Sequence, residues 1–272
     1  MTATIGELPK TLEAACLADV ALRGEGRYPT YPFATAGLYG GQLLAITIVE
    51  AVRTSPPRRR PVAATATVLR PGHGGDNVRA FETFTRDGKT LSHRSISLAQ
   101  GSETVSTGSV ILATEEGLNG PVTSSPVAVP LPEMAGPDAL PTLFERRWNF
   151  PFLEFRPVLT VPGVRPALHP VWLRSRTPWP DDVATWTAQA FLTDLAVVRA
   201  ALEPEELKTH GVVTVEHVLY PHEEIAPDDW NLLTAERRYR NGSTALVDFS
   251  VVSRNGRVCA TGTQVVQVLP PR

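Results

Sequence analysis

The chain has 272 residues, of which 42% are hydrophobic and 20% charged, a composition typical of a globular protein with a sizeable core. Its net charge of −2 excludes a strongly basic surface, so we expect no nucleic-acid partner. No apolar stretch approaches the ~20 residues needed to cross a bilayer. The first residues also lack the basic and apolar segments of a signal peptide. We therefore expect a cytoplasmic protein without a membrane span.

The first strongly patterned segment covers residues 40–53 and is apolar at almost every position after Gln42. Its β-branched residues would also allow a strand, but its length without a turn signal favours a helix. A helix that is apolar on nearly all sides must be buried. Gly40 and Gly41 at its start would allow another backbone to approach closely.

Four strand-like segments follow the first predicted helix. They cover residues 61–69, 77–86, 90–100 and 103–114. Asp87-Gly88 and Gln100-Gly101 are turn signals of the kind that joins adjacent antiparallel strands. The first half therefore reads as a helix and then a largely antiparallel sheet.

The composition changes between residues 115 and 141, where six prolines lie among Gly, Ser and Thr. Such a segment is typical of an extended surface linker. It predicts three parts: an N-terminal domain over 1–114, the linker over 115–141, and a C-terminal domain over 142–272 that carries the candidate site.

The second half repeats the order of the first. After aromatic-rich segments at 144–156 and 170–176, the pattern predicts a helix over 185–202. Predicted strands then cover 212–219, 230–239, 243–253 and 257–268. Asn241-Gly242 and Asn255-Gly256 are hairpin signals between the last three strands.

Short landmarks recur between the halves at a nearly constant offset. Leu69-Arg70-Pro71 returns as Leu219-Tyr220-Pro221, Asp87-Gly88 as Asn241-Gly242, and Gln100-Gly101 as Asn255-Gly256. One supersecondary unit used twice explains this spacing. A buried helix wrapped by an antiparallel sheet is the hotdog arrangement, so the predicted fold class is α+β, a double hotdog. Pairing of the two sheets would hide an edge strand of each copy, and active sites would lie between the copies.

Asp194 is the best functional clue, because it lies in an apolar run that does not need a carboxylate. Burying a carboxylate costs several kcal/mol unless it is paired or hydrogen-bonded. Such a group is a candidate for acid–base chemistry. The competing interpretation places Asp194 on a narrow exposed face beside Gln189 and Thr193.

Two polar residues on predicted strands accompany this carboxylate. Counting with period 2 places Gln264 on a face of small and apolar residues, which should point inward. Thr214 shares its predicted face with Glu216, which leaves its direction open. His217 and His222, at the end of the same strand, are more typical of structural or exposed histidines than of catalytic ones.

The other residue patterns do not predict a further functional site. No cluster has metal-ligand spacing, so we expect neither a metal nor a cofactor. Cys16 and Cys259 are interpreted as reduced packing residues. The run Arg58-Arg59-Arg60 is typical of a solvated loop, and contact with a phosphorylated ligand is the alternative.

In these residues the chain resembles the acyl-CoA thioesterase II family of double-hotdog enzymes. The blocks that carry the resemblance are Gly40-Gly41-Gln42, Leu69-Arg70-Pro71-Gly72, Arg86-Asp87-Gly88, Thr193-Asp194-Leu195, Thr214-Val215-Glu216-His217 and Gly256 through Gln264. The family hydrolyses fatty acyl-CoA thioesters to free acid and CoA. Its members hold the attacking water with an Asp, a Thr and a Gln, which match Asp194, Thr214 and Gln264.

The resemblance also implies an acyl-CoA substrate, a role in lipid metabolism and a possible homo-oligomer. The backbone N–H of Gly41, with Gln42 beside it, is the candidate oxyanion donor. Two alternatives stay open: a non-catalytic acyl-CoA-binding or scaffolding protein, and an enoyl-thioester hydratase. Glu223 and Val265, where the family has other residues, keep the first alternative open.

Overall fold

The computed structural model describes residues 9–16, 26–33, 37–118, 126–132, 150–158, 169–180, 184–195 and 197–271. These residues contain the helices α1 (Leu12–Cys16), α2 (Gly40–Arg53) and α3 (Trp186–Leu192). Short 3-10 turns cover Glu116–Leu118, Val197–Ala201 and Glu206–Lys208. None of the helices in these ranges is long and apolar enough to cross a bilayer.

The described residues form eleven strands of one sheet. They are β1 (Arg27–Tyr28), β2 (Arg59–Val68), β3 (Val78–Asp87), β4 (Leu91–Gln100), β5 (Glu103–Thr114), β6 (Leu153–Pro157), β7 (Val171–Ser175), β8 (His210–Pro221), β9 (Asn231–Asn241), β10 (Thr244–Ser253) and β11 (Val258–Pro271). Their order is β1-β3-β4-β5-β2-β8-β11-β10-β9-β7-β6, and neighbouring strands are antiparallel. This architecture confirms the predicted double hotdog.

The two halves meet where β2 pairs with β8. Ala64 lies opposite Leu219 and Thr67 lies opposite Glu216 in this pair. The contact gives each half-sheet a neighbour at what would otherwise be an open edge. The predicted pairing of the two sheets is therefore confirmed.

The helix α2 has the bounds that the sequence predicts, and every residue from Gly40 to Ala51 is buried. It packs on α3 and on β2, β4 and β5. The apolar residues on all its sides are thus explained, because each side contacts another element. Burying a single Leu or Ile side chain contributes about 1.5–3 kcal/mol, so this helix is a major source of core stability.

The predicted hairpins are present. Asn241-Gly242 joins β9 to β10, and Gly242 has a φ of 57°, a left-handed conformation that favours glycine. Asp87-Gly88 joins β3 to β4 through a longer turn, in which the Gly88 N–H donates to the Leu91 carbonyl across 2.8 Å. Both halves therefore follow a helix with four consecutively connected strands, as the repeat predicts.

Several local predictions are wrong. The helix expected over 185–202 ends at Leu192, where the Thr193 hydroxyl donates back to the Ala190 carbonyl, and a 3-10 turn follows at Val197–Ala201. The solvated loop expected at Arg58-Arg59-Arg60 is already β2 from Arg59 onward. The strands β1, β6 and β7 lie in segments to which the sequence analysis assigned no strand.

Two remaining predictions differ in their outcome. Cys16 and Cys259 are free and buried, as expected for packing residues. The linker over 115–141 lies partly outside the described residues, and the domain boundaries that depend on it stay a prediction.

Candidate active site

Asp194 lies in the turn directly after α3, not within a helix, and is 4% exposed. Gln189 and Thr193 beside it are also buried. The alternative in which these residues form an exposed face is therefore wrong. The carboxylate lies in the interior between the two copies, where it requires hydrogen-bond partners.

Two side chains from different strands converge on one oxygen of this carboxylate. Nε2 of Gln264 on β11 donates to Oδ1 of Asp194 across 2.7 Å. The Thr214 hydroxyl on β8 donates to the same Oδ1 across 3.1 Å. The structure thus brings together the three residues that were singled out from the sequence.

The other carboxylate oxygen faces the N-terminus of α2. The Gly41 N–H donates to Oδ2 of Asp194 across 2.9 Å. Tyr39, which precedes α2, directs its hydroxyl to the Phe191 carbonyl at 2.7 Å. Asp194 therefore satisfies an N–H group that a helix start leaves without an internal partner. This bond joins the helix of one copy to the turn of the other.

A β-bulge sets the direction of Thr214. On β11 the successive residues Val265 and Val266 lie opposite Glu216 and Thr214, so Val215 is an extra residue on β8. Without this residue, Thr214 and His217 would point to opposite faces of the sheet. The bulge turns both side chains inward, and bulges commonly re-aim side chains in this way near active sites.

Burial and hydrogen bonding shift the pKa of Asp194 in opposite directions. Burial raises it and is the larger effect, whereas the Gly41 N–H, Gln264, Thr214 and the Gly40 N–H lower it. The net result is a pKa raised from 3.8 to about 6. Such a carboxylate is ionised at neutral pH and yet basic enough to take a proton from water.

The two predicted oxyanion donors differ in their surroundings. The Gly41 N–H is already engaged by Asp194. Oε1 of Gln42 accepts the Tyr31 N–H at 3.2 Å, while its buried Nε2 has no hydrogen-bond partner among the described residues. Gln42 therefore retains an available donor, and the oxyanion role of both residues stays a prediction.

The two histidines singled out from the sequence, His217 on β8 and His222 just after it, have different environments. His222 is exposed, and its Nε2 lies 2.8 Å from the Thr261 hydroxyl. His217 is 1% exposed, and its Nε2 lies 3.2 Å from the hydroxyl of Thr193. Sequence reasoning missed the contact with Thr193, because only the bulge places His217 on the inner face. Within the described ranges, no group of three or more His, Cys, Asp or Glu side chains could hold a metal ion.

Comparisons with known proteins agree with this architecture. Residues 29–113 match the family model for the acyl-CoA thioesterase N-terminal domain, and residues 128–268 match that for the acyl-CoA thioesterase C-terminal domain. None of the curated proteins compared with the chain matches it.

Solved structures show the same fold at low sequence identity. An acyl-CoA thioesterase II, TesB2, from Mycobacterium marinum is 23% identical with a TM-score of 0.72, covering 90% of this chain and 93% of its own. A protein of unknown function with a hot dog fold from Alicyclobacillus acidocaldarius is 18% identical with a TM-score of 0.70, covering 96% and 98%. Because the two family models span most of its length, the chain belongs to the acyl-CoA thioesterase family and is a thioesterase.

Proposed function

We propose that this protein hydrolyses an acyl-CoA thioester with Asp194 as the general base, and that Thr214 and Gln264 hold the carboxylate and the attacking water. The observation that carries the proposal is the convergence of both side chains on Oδ1 of a buried Asp194. A carboxylate in this position would otherwise destabilise the core.

The hydrogen-bonding capacity of the three residues supports a water site. A carboxylate has roughly four acceptor positions, and Gln264, Thr214 and Gly41 donate to Asp194 from three directions. In the proposed site, the attacking water donates one of its protons to the Asp194 carboxylate. The Gln264 Oε1 is buried without a partner among the described residues and can accept the other.

The reaction balances with these groups alone. The water oxygen attacks the thioester carbonyl carbon as Asp194 takes one of its protons. The carbonyl oxygen becomes an oxyanion, for which the free Nε2 of Gln42 is the proposed donor. The C–S bond then breaks, and the CoA sulfur takes the proton back from Asp194. The products are the free acid and CoA.

The test measures thiol release from acyl-CoA by the wild type and by Asp194→Asn. General base catalysis typically contributes about 10²–10⁴-fold, and we expect a loss of this size. Asp248→Asn is the matched control, because Asp248 is an acidic residue of β10 whose ion pair with Arg238 lies at the surface. A loss of only a few-fold in Asp194→Asn would remove Asp194 from the role of base.

A second pair of variants on one strand tests Gln264. Gln264 faces inward on β11, whereas Gln267 on the same strand is exposed. We expect Gln264→Ala to lose activity and Gln267→Ala to retain it. With crotonyl-CoA, release of thiol supports hydrolysis, and hydration with the thioester intact would instead indicate the hydratase. Acyl-CoA binding with no thiol release would indicate the non-catalytic alternative.

A further inference from the structure

Thr193 and His217 form a buried pair directly behind the candidate base. Thr193 is 0% exposed, immediately precedes Asp194, and has its hydroxyl 3.2 Å from Nε2 of His217. The same hydroxyl lies 3.2 Å from the Ala190 carbonyl oxygen. The hydroxyl thus links the end of α3 to β8 at the point where the chain turns to present Asp194.

The proton arrangement in this pair follows from hydrogen-bond chemistry. A carbonyl oxygen only accepts, so the one Thr193 hydroxyl proton is donated to Ala190. Nε2 of His217 must then carry the proton that it donates to the Thr193 oxygen. Burial lowers the pKa of His217 to about 3, so the ring is neutral. It stays a fixed, uncharged donor at neutral pH.

His217 is also tied to the other side of the carboxylate. It lies directly opposite Gln264 in the β8–β11 pair. Nε2 of Gln264 lies 3.4 Å from the Thr193 carbonyl in addition to its 2.7 Å bond to Asp194. The backbone of Thr193 and the side chain of Asp194 are therefore both held by residues of β8 and β11.

We propose that His217, through the Thr193 hydroxyl, is a positioning residue for Asp194. The proposal rests on the proposed function of Asp194 as base. Since α3 ends at Leu192, the helix itself does not fix the direction of the residue two places later. The hydrogen bond from His217 supplies this constraint at the residue immediately before the base.

The competing explanation is that His217 only fills the core, where its ring lies 5.2 Å from the Phe249 ring in an edge-to-face arrangement. The two explanations predict different kinetics. A packing role would change the stability of the fold and leave kcat of the folded enzyme intact. A positioning role would lower kcat with little change in KM, because a base displaced by ~1 Å can cost about 10²-fold in rate.

Thr193→Val and Thr193→Ser distinguish the effect of the Thr193 hydroxyl from the effect of its side-chain volume. Valine keeps the volume and loses the hydrogen bonds, and serine keeps the hydroxyl. We expect Thr193→Val to lower kcat at least about tenfold with KM within about twofold, and Thr193→Ser to recover most of it. His222→Phe is the control, because His222 is an exposed histidine just beyond β8 and should keep wild-type kcat. Unchanged kcat in Thr193→Val would overturn the proposal.

A double-mutant cycle with His217→Phe tests whether the two residues act through each other. If they do, adding His217→Phe to Thr193→Val should cost little beyond the worse single change. Independent, multiplied losses would contradict the proposal. If His217→Phe does not fold, the valine and serine variants decide alone. If Asp194→Asn retains activity, the proposed function itself is wrong. If Asp194→Asn is inactive but Thr193→Val is fully active, only the positioning role of His217 and Thr193 is wrong.

Discussion

The Gly41 N–H donates to Oδ2 of Asp194 across 2.9 Å, although the two residues are 153 positions apart in the chain. The bond gives the start of α2 a carboxylate cap that comes from the other copy. A negative group at a helix N-terminus is stabilised by the helix dipole. It follows that the site exists only when the two copies are packed together, which gives the double-hotdog fold a direct part in the chemistry.

Gly40→Ala should displace the base. A Cβ at Gly40 would lie 2.9 Å from Oδ2 of Asp194, closer than real Cβ contacts allow. Alanine is otherwise a better helix former than glycine, so the strain falls on the carboxylate. We expect kcat to fall about tenfold or more, because a misplacement of ~1 Å can cost about 10²-fold in rate, while the melting temperature changes little.

The control for this substitution is Gly117→Ala, measured by thiol release and thermal unfolding in parallel. The atoms nearest to a Cβ at Gly117 belong to Thr114 and Thr90, and none of them lies closer than 3.3 Å. This variant should keep wild-type kcat. Wild-type turnover in Gly40→Ala would mean that the carboxylate can shift without consequence, which is incompatible with its role as base.

The rate of hydrolysis should depend on the ionisation of Asp194. Its pKa is raised to about 6 by burial, and a general base must be ionised to act. We expect kcat to be constant above pH 7 and to fall about tenfold per pH unit below pH 6. The titratable groups that face it do not titrate in this range. Burial holds the pKa of Tyr39 well above its ordinary value and lowers that of His217 to about 3.

The measurement is kcat between pH 4.5 and 8.5 at saturating acyl-CoA, with refolding on return to pH 7.5 as the check on stability. The matched comparison is the residual activity of Asp194→Asn, which should not show the acidic decline. A wild-type profile that is flat through pH 6 would indicate that a different group sets the rate.

Asp194→Asn should make the folded protein more stable at neutral pH. The pKa of Asp194 is raised in the folded state from 3.8 to about 6, so the ionised carboxylate favours unfolding above pH 6. A shift of about 2 pKa units corresponds to about 3 kcal/mol at most. Asparagine removes this penalty. The Gln264 amide can rotate so that its unpartnered Oε1 accepts from the new Nδ2.

Urea unfolding at pH 8 and at pH 4 tests this expectation. The advantage of Asp194→Asn should be present at pH 8, shrink as the pH falls through 6, and be small near pH 4, where the folded carboxyl is protonated and the unfolded one about half protonated. Asp248→Asn, which breaks a surface ion pair with Arg238, should show no such gain. A variant less stable than wild type at pH 8 would show that the hydrogen bonds outweigh the burial penalty.

The sequence predicts the elements of the fold more fully than the local geometry of the site. The bounds of α2 follow from an uninterrupted apolar run, and the hairpins follow from Asp87-Gly88 and Asn241-Gly242, because these signals are local. The end of α3 at Leu192 could not be predicted from its own residues. Asp194, just beyond that end, bonds to Gly41 of the other copy, a contact that no local pattern contains.

The direction of Thr214 shows a second kind of limit. Strict alternation along β8 places Thr214 and Glu216 on one face and His217 on the other. The bulge at Val215 breaks this alternation, and it arises from the pairing with β11 rather than from any turn residue within β8. Gln264 was assigned correctly because β11 keeps regular alternation from Ala260 to Gln264. The direction of a site side chain can thus be predicted on a regular strand such as β11, but not beside a bulge such as the one in β8.

Arg94→Met should destabilise the fold without affecting the chemistry. Arg94 is 0% exposed on β4; its Nη2 donates to the Thr54 carbonyl, just after α2, and lies 3.0 Å from an Asp87 carboxylate oxygen. Asp87 is 40% exposed, so no buried charge is left unpaired when Arg94 is removed. Methionine loses the charge-assisted hydrogen bond to the Thr54 carbonyl, and such a bond typically contributes about 1.5–3 kcal/mol. The opposite end of α2, at Gly41, lies about 18 Å away along the helix. We expect a lower urea midpoint and an unchanged kcat per folded molecule, whereas loss of kcat with unaltered unfolding would show that this end of α2 controls the site.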